Sequence, residues 1–351
     1  MMKRNNCLYL FECIACILVV LIHVPFPGDL GLFFSETGRI SVPLFFMISG
    51  YSLYDHLESD SYKRKLTTRL RKNAVLLGSA VLFYLVTDFF KDLLRGASTI
   101  SRLRSMVGWK EIVKLILFNN FPGGIGGGVL WFLFALLYIY VFNILISQFL
   151  RKKDIGTICF WSFSTLLIAN ILIIIFTVIG DGFCHGLFSS HLLYSNWLVS
   201  GLPCFYIGMG CRSFTVRYQE KMKTKLHQMM AALVVLVVMN YLFCKLLDVT
   251  LNLYLSYTPF SILMDLIIFA FSSVVFISDN NILVIAGEKY SRDVYLLHPF
   301  IHSVTNMFFG GRLEGTVMAA YVQPVLVVAL SFGMSAAMEY LISSIRKKRI
   351  V

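Results

Sequence analysis

The chain has 351 residues, of which 58% are hydrophobic and only 14% charged, and its mean hydropathy is +0.75. An ordinary soluble domain, with about a quarter of its residues charged, is excluded. The formal charge of +12 does not imply nucleic acid, because the basic residues sit in short loops and no basic stretch with stacking aromatics lies outside the apolar runs. Apolar stretches of 17 or more residues recur along the chain, which predicts an all-α, polytopic membrane bundle forming a single embedded domain over 1–351.

The first apolar run carries Glu12 near its start and His23 at its end. Eleven residues make about three helical turns, so the two share one helix face roughly 16 Å apart. An ionisable group in hydrocarbon is costly and normally faces a bundle interior or an aqueous cavity, so this face lines something polar. Cys13 and Cys16 form a CxxC inside the same run, but no second ligand pair accompanies them, and they read as packing residues rather than a metal site. The eight cysteines show no disulfide framework. Lys3 and Arg4 precede the run without a small-x-small cleavage site, which predicts an uncleaved first span.

Ten apolar segments are predicted, at roughly 7–25, 40–55, 74–90, 129–149, 156–179, 196–212, 228–247, 258–278, 291–309 and 317–345. With the N-terminus cytoplasmic, 22 of the 31 basic residues fall on the inner side, so both termini are expected there. The long outer connection runs from about 91 to 128. Within it Glu111 to Phe118 is amphipathic and suits a membrane surface. Phe121 to Gly128 is a glycine cluster without a following Lys-Ser/Thr, which reads as a flexible loop at a helix entrance rather than a phosphate cradle. His298 and His302 share a face as i, i+4, with no acid or cysteine beside them to complete a metal site. Asp88, Asp265 and Glu339 are intramembrane acids for which pairing within the structure is expected.

Five stretches in this order resemble the membrane-bound acyltransferase family 3. They are Ala15 to His23, Val42-Pro-Leu-Phe-Phe-Met-Ile-Ser-Gly-Tyr51, the basic run Lys63 to Lys72, Leu130-Trp-Phe-Leu133, and Gly287 to Pro299 with Tyr-Leu-Leu-His-Pro at its end. The resemblance implies transfer of an acyl group, usually acetyl, to an extracytoplasmic acceptor, with acetyl-CoA as donor substrate and no bound cofactor. It places the protein in a bacterial inner (plasma) membrane as a multi-pass enzyme, with membrane lipid, acyl-CoA and a glycan or lipid-linked saccharide as partners. The family has an arginine eleven residues before the histidine where this chain has Glu12, which implies a different donor arrangement with Arg39 as a compensating cation.

Acyl transfer to a hydroxyl needs a base, a positioned thioester and groups that stabilise an oxyanion. His23 is the expected base, because a neutral imidazole takes up a proton near neutral pH. Arg39 is the expected electrostatic helper, the other reading being an interfacial snorkelling arginine. Glu12 completes the catalytic candidates. Arg64, Arg69 and Arg71 are candidates for the coenzyme A phosphates; lipid attraction and topology equally account for that basic run. Trp131, Tyr51 and His298 are candidates for lining the acceptor path. A transporter or flippase of a polar or lipid-linked solute, and a catalytically degenerate family member, are the alternative functions; coenzyme A binding would favour the enzyme over the transporter.

Overall fold

The computed structural model describes residues 5–95, 108–119, 128–179, 196–251, 255, 257–309 and 316–348. The polar part of the long connection, at 96–107, and the glycine cluster as far as Gly127 lie outside the described residues. Every regular element among the described residues is helical. In order they are α1 (Asn6–His23), α2 (Gly28–Thr37), a 3-10 turn (Gly38–Ile40), α3 (Ser41–Tyr54), α4 (Ser61–Arg95), α5 (Trp109–Phe118) and α6 (Trp131–Leu150). They continue with α7 (Ile155–Ile179), a π turn (Trp197–Gly201), α8 (Leu202–Lys223), α9 (Leu226–Leu251), α10 (Pro259–Ser272), α11 (Ile282–Phe309) and α12 (Val317–Lys348).

Each of the ten predicted apolar segments lies on this helical framework. Six helices among the described residues, α1, α4, α6, α7, α9 and α12, are long and apolar enough to cross a bilayer, and α10 is a shorter apolar helix. Large apolar side chains remain exposed on them, among them Leu82, Trp161, Ile171, Val234, Leu242 and Val325. Water would penalise such surfaces heavily, whereas hydrocarbon accepts them and helices satisfy their own backbone groups. The protein is a multi-pass, all-α membrane protein.

The chain divides into two compact units, a central one, Val42–Val274, and a terminal one built from Lys3–Ser41 and Val275–Val351. In the central unit α4 packs on α6, α8 on α7 and α10, and α9 on α10. Gly50 and Gly208 let α3 and α8 touch backbone to backbone: a Cβ on either would sit within 2 Å of a carbonyl oxygen, that of Phe205 or Met47. A polar knot ties three helices together, because Asn143 accepts from the hydroxyls of Tyr62 (3.1 Å) and Tyr206 (3.3 Å). Its amide donates to Ile139 O (2.8 Å), so the knot is satisfied inside an apolar interior. Interhelical hydrogen bonds of this kind are worth about 0.6–2 kcal/mol each in membranes.

The two ends of the central unit differ chemically. At one end Arg212 grips Asp55 with contacts down to 2.8 Å, and Arg151 donates to Asp60 (3.0 Å) and Ser59 O (2.9 Å). At the other, Asn119 accepts from Trp197 N (2.7 Å), and Asn196 caps the π turn through Leu198 N (2.7 Å). Asn119 lies in the left-handed region, φ 46°, which ends α5 and turns the chain toward α6. Helix α5 exposes Trp109, Ile112, Ile116 and Leu117, the apolar face expected of the amphipathic segment.

Of the intramembrane acids, Asp88 lies 3.6 Å from Lys91. Asp265 departs from expectation: it is wholly buried on α10, and neither carboxyl oxygen has a hydrogen-bond partner among the described residues.

Candidate active site

The terminal unit gathers the residues that the first and ninth segments contribute. Helix α1 begins with Asn5, whose side chain accepts from Leu8 N (3.0 Å). It ends at His23 because Pro25 bars Val24 from helical geometry, and Val24 sits at φ −133°. The imidazole is thereby placed on the last residue of the helix, exposed, at the mouth of an elbow formed by Val24 to Pro27. Gly28, at φ +65°, starts α2 back along α1. The chain then enters the 3-10 turn, where Gly38 lies against Ile22 and the carbonyl of Leu18. Arg39 is therefore delivered to the same end of α1 that carries His23.

Arg39 does not stand as a lone snorkelling cation. Its guanidinium makes a two-pronged pair with Glu36, Nη2 to Oε1 at 2.6 Å with Nε on the other oxygen. Glu36 is 2% exposed and Arg39 largely buried, so the fork is held rigidly. Glu36 was not among the residues singled out in the sequence; its only signal is the i, i+3 spacing to Arg39.

Helices α1 and α11 run side by side in the same direction. Gly287 is tight against Tyr9 O, Cys16 donates to Ser291 O (2.9 Å), and the His23 ring lies tilted beside that of His298 with centroids 5.1 Å apart. His298 is wholly buried. Pro299 inside α11 supplies no N–H to the carbonyl of Tyr295, one turn back. The His298 ring turns toward this weakened turn, with Nδ1 at 3.3 Å from Val294 O and the Tyr295 carbonyl beside it. Assigned from that contact, Nδ1 carries the hydrogen and Nε2 is left as a bare acceptor. It is buried with no hydrogen-bond partner among the described residues. His302, one turn further on, stands within electrostatic reach of both rings.

The other sequence-predicted residues take different places. Glu12 lies about 16 Å from His23 along α1, hydrogen-bonded to Ser291 and near Glu288, so it does not join the histidine pair. Tyr51 is buried, stacked on Phe269 (5.0 Å) with the Arg212 guanidinium 5.5 Å from its ring centre and its hydroxyl 3.4 Å from that of Thr215. Trp131 packs its ring on Phe46 (5.9 Å). On α4, Arg69 donates to Ser49 O (3.1 Å) and Ser52 Oγ (2.9 Å), tying α4 to the last turns of α3. Arg64 and Arg71 are exposed. Seven residues apart, they share a helix direction to within about 20°, whereas Arg69 points about 200° away from Arg71. No group of three or more metal-ligating side chains occurs among the described residues.

A histidine at a helix end, a fixed arginine fork in the adjoining turn and a buried second imidazole can together take up a proton and stabilise a nearby oxyanion. A family model described as an acyltransferase domain matches residues 5–343, so it runs through both units. No curated protein and no solved structure matches the chain.

Proposed function

The chain belongs to the acyltransferase 3 family, and on that premise we propose that it moves an acetyl group from acetyl-CoA to a hydroxyl of a glycan or lipid-linked sugar outside a bacterial inner membrane. Acyl transfer itself goes with the family; the donor, the acceptor and the roles of individual residues belong to this proposal. The observation that supports the residue roles is the His23–His298 pair with Arg39 in the adjoining turn; the donor and acceptor follow the family resemblance.

The acceptor hydroxyl gives its proton to neutral His23 as its oxygen attacks the thioester carbonyl. The C–S bond breaks, the acetyl oxygen ester forms, and the leaving coenzyme A thiolate takes up that proton, which restores neutral His23. Arg39, oriented by Glu36, faces the charge that develops on the carbonyl oxygen. Arg64 and Arg71 attract the coenzyme A phosphates at the cytoplasmic end of α4.

Ten spans with both termini cytoplasmic fit the molecule's internal contacts. Odd-numbered spans must point outward, and α1 and α11, which carry the first and ninth segments, are parallel. The segments assigned to the inner side, around 55–72, 151–153 and 212–225, meet through the Asp55–Arg212 and Asp60–Arg151 pairs.

The test is the purified protein with labelled acetyl-CoA. Wild type is expected to transfer or hydrolyse the label, and His23→Ala to lose that activity; equal turnover by the two would remove the base assignment.

A further inference from the structure

Beyond the histidine pair, α11 carries a polar line that continues outward. His298, His302 and Asn306 stand at i, i+4 and i+8, so they rise along one face over about 12 Å. The line is connected by hydrogen bonds. Asn306 Nδ2 donates to His302 Nε2 (3.1 Å), and Gln323 on α12 donates through Nε2 to Asn306 Oδ1. Exposure increases along it, from wholly buried His298 through partly buried His302 to exposed Asn306.

Such a line is unusual on an apolar helix. Its internal hydrogen bonds offset only part of the roughly 2–7 kcal/mol that an amide costs in hydrocarbon, and the neighbours Met307 and Phe308 show what this part of the helix carries where it meets lipid. At its inner end the line reaches an imidazole nitrogen, His298 Nε2, that is buried and has no hydrogen-bond partner among the described residues, beside His23. A ligand reaching that nitrogen would satisfy it.

We infer that His302, Asn306 and Gln323 form the acceptor-binding track, which hydrogen-bonds the hydroxyls of a neutral, hydroxyl-rich saccharide and leads one of them to His23. Side-chain amides both donate and accept, as hydroxyls do. None of the three residues supplies the fixed cation that a phosphate or carboxylate would call for. The track rests on the acyl-transfer function proposed above and deepens it by naming where the acceptor sits.

The experiment uses membrane vesicles holding the full chain, loaded with labelled acetyl-CoA, and reads two rates: label passing to the host's surface glycan and label released to water as acetate. Asn306→Ala and Gln323→Ala are each expected to slow glycan labelling roughly tenfold, the scale of one lost hydrogen bond, with acetate release within about twofold of wild type. Asn306→Gln, which keeps the amide, is expected to retain more glycan labelling than Asn306→Ala. His23→Ala is expected to lose both rates. Unchanged glycan labelling in the alanine variants would overturn the track and leave the acyl-transfer function standing. A parallel fall of both rates in the alanine variants would assign these residues to structure alone and overturn the track as well. If wild type and His23→Ala turn over the donor equally, the function proposed for the site fails and the track fails with it.

Discussion

The imidazoles of His23 and His298 lie beside each other with centroids 5.1 Å apart, one exposed at the last residue of α1 and the other buried on α11. The buried ring is anchored to the carbonyls of Val294 and Tyr295 and forms a wall against which the exposed ring is positioned. Loss of a general base typically costs about 10²–10⁴ in rate, which is the expected effect of His23→Ala on transfer from labelled acetyl-CoA. His298→Ala leaves His23 without its wall, and a misplacement of about 1 Å costs about a hundredfold. Donor KM is expected to stay near wild type in both variants. Wild-type kcat in His298→Ala would show that the pairing has no part in the chemistry.

The Glu36–Arg39 fork separates a structural contribution from a chemical one. Removing one partner of a buried pair strands the other and costs about 3–5 kcal/mol. Glu36→Ala is therefore expected to lower thermal stability in detergent sharply, and the double variant Glu36→Ala with Arg39→Ala to recover part of the loss. Arg39→Lys keeps the charge but loses the fork, so it is expected to fold and yet transfer more slowly. Equal melting temperatures for wild type and Glu36→Ala would contradict a buried, mutually dependent pair.

Gly287 controls how closely α1 and α11 approach. A Cβ there would lie 1.8 Å from Tyr9 O and 3.1 Å from Cys13 N, both backbone atoms that cannot swing aside. Gly287→Ala must push the helices apart, a change of the kind that costs about 1–3 kcal/mol. Because the same two helices carry the histidines, activity is expected to fall more steeply than stability. Thermal unfolding alongside the acetyl-transfer rate checks this, and a variant with wild-type kcat would break the link between the crossing and the site.

Much of the fold is legible in hydropathy, since an apolar run of bilayer length must be helical in lipid. Each predicted segment lies on the helical framework, and the end of α1 at His23 follows from Pro25. The meeting of His23 with His298 was harder to read. It joins residues 275 positions apart and depends on Gly287 and Ser291 letting two backbones close, information that periodicity within one helix does not carry. Glu36 was missed for a different reason: in a short connection, an acid three residues before an arginine looks like ordinary interfacial polarity. Asp265 marks the limit of reading charge alone, because its burial without a hydrogen-bond partner among the described residues follows from how α8 and α10 pack rather than from its own neighbours in sequence.

The basic run on α4 holds the sharpest division among residues that look alike in sequence. Arg69 points toward the packed side of the helix and satisfies Ser49 O and Ser52 Oγ at the end of α3. Truncating it removes two hydrogen bonds from a charged donor that tie α4 to α3, a loss of about 1.5–3 kcal/mol. Arg69→Ala is therefore expected to melt at lower temperature, with its activity falling in proportion to folded protein. Arg64 and Arg71 face the surroundings together, so Arg64→Ala and Arg71→Ala are expected to leave the melting temperature unchanged. Their effect should fall on the donor, with KM for acetyl-CoA rising several-fold as about 1 kcal/mol of attraction to its phosphates is lost from each. Added salt should weaken the wild type's donor binding and narrow the gap to the double variant, because exposed charges are screened over about 8 Å at physiological ionic strength. If Arg69→Ala instead keeps its stability and raises the donor KM, the tie to α3 is not what holds that guanidinium, and the donor site lies against α3.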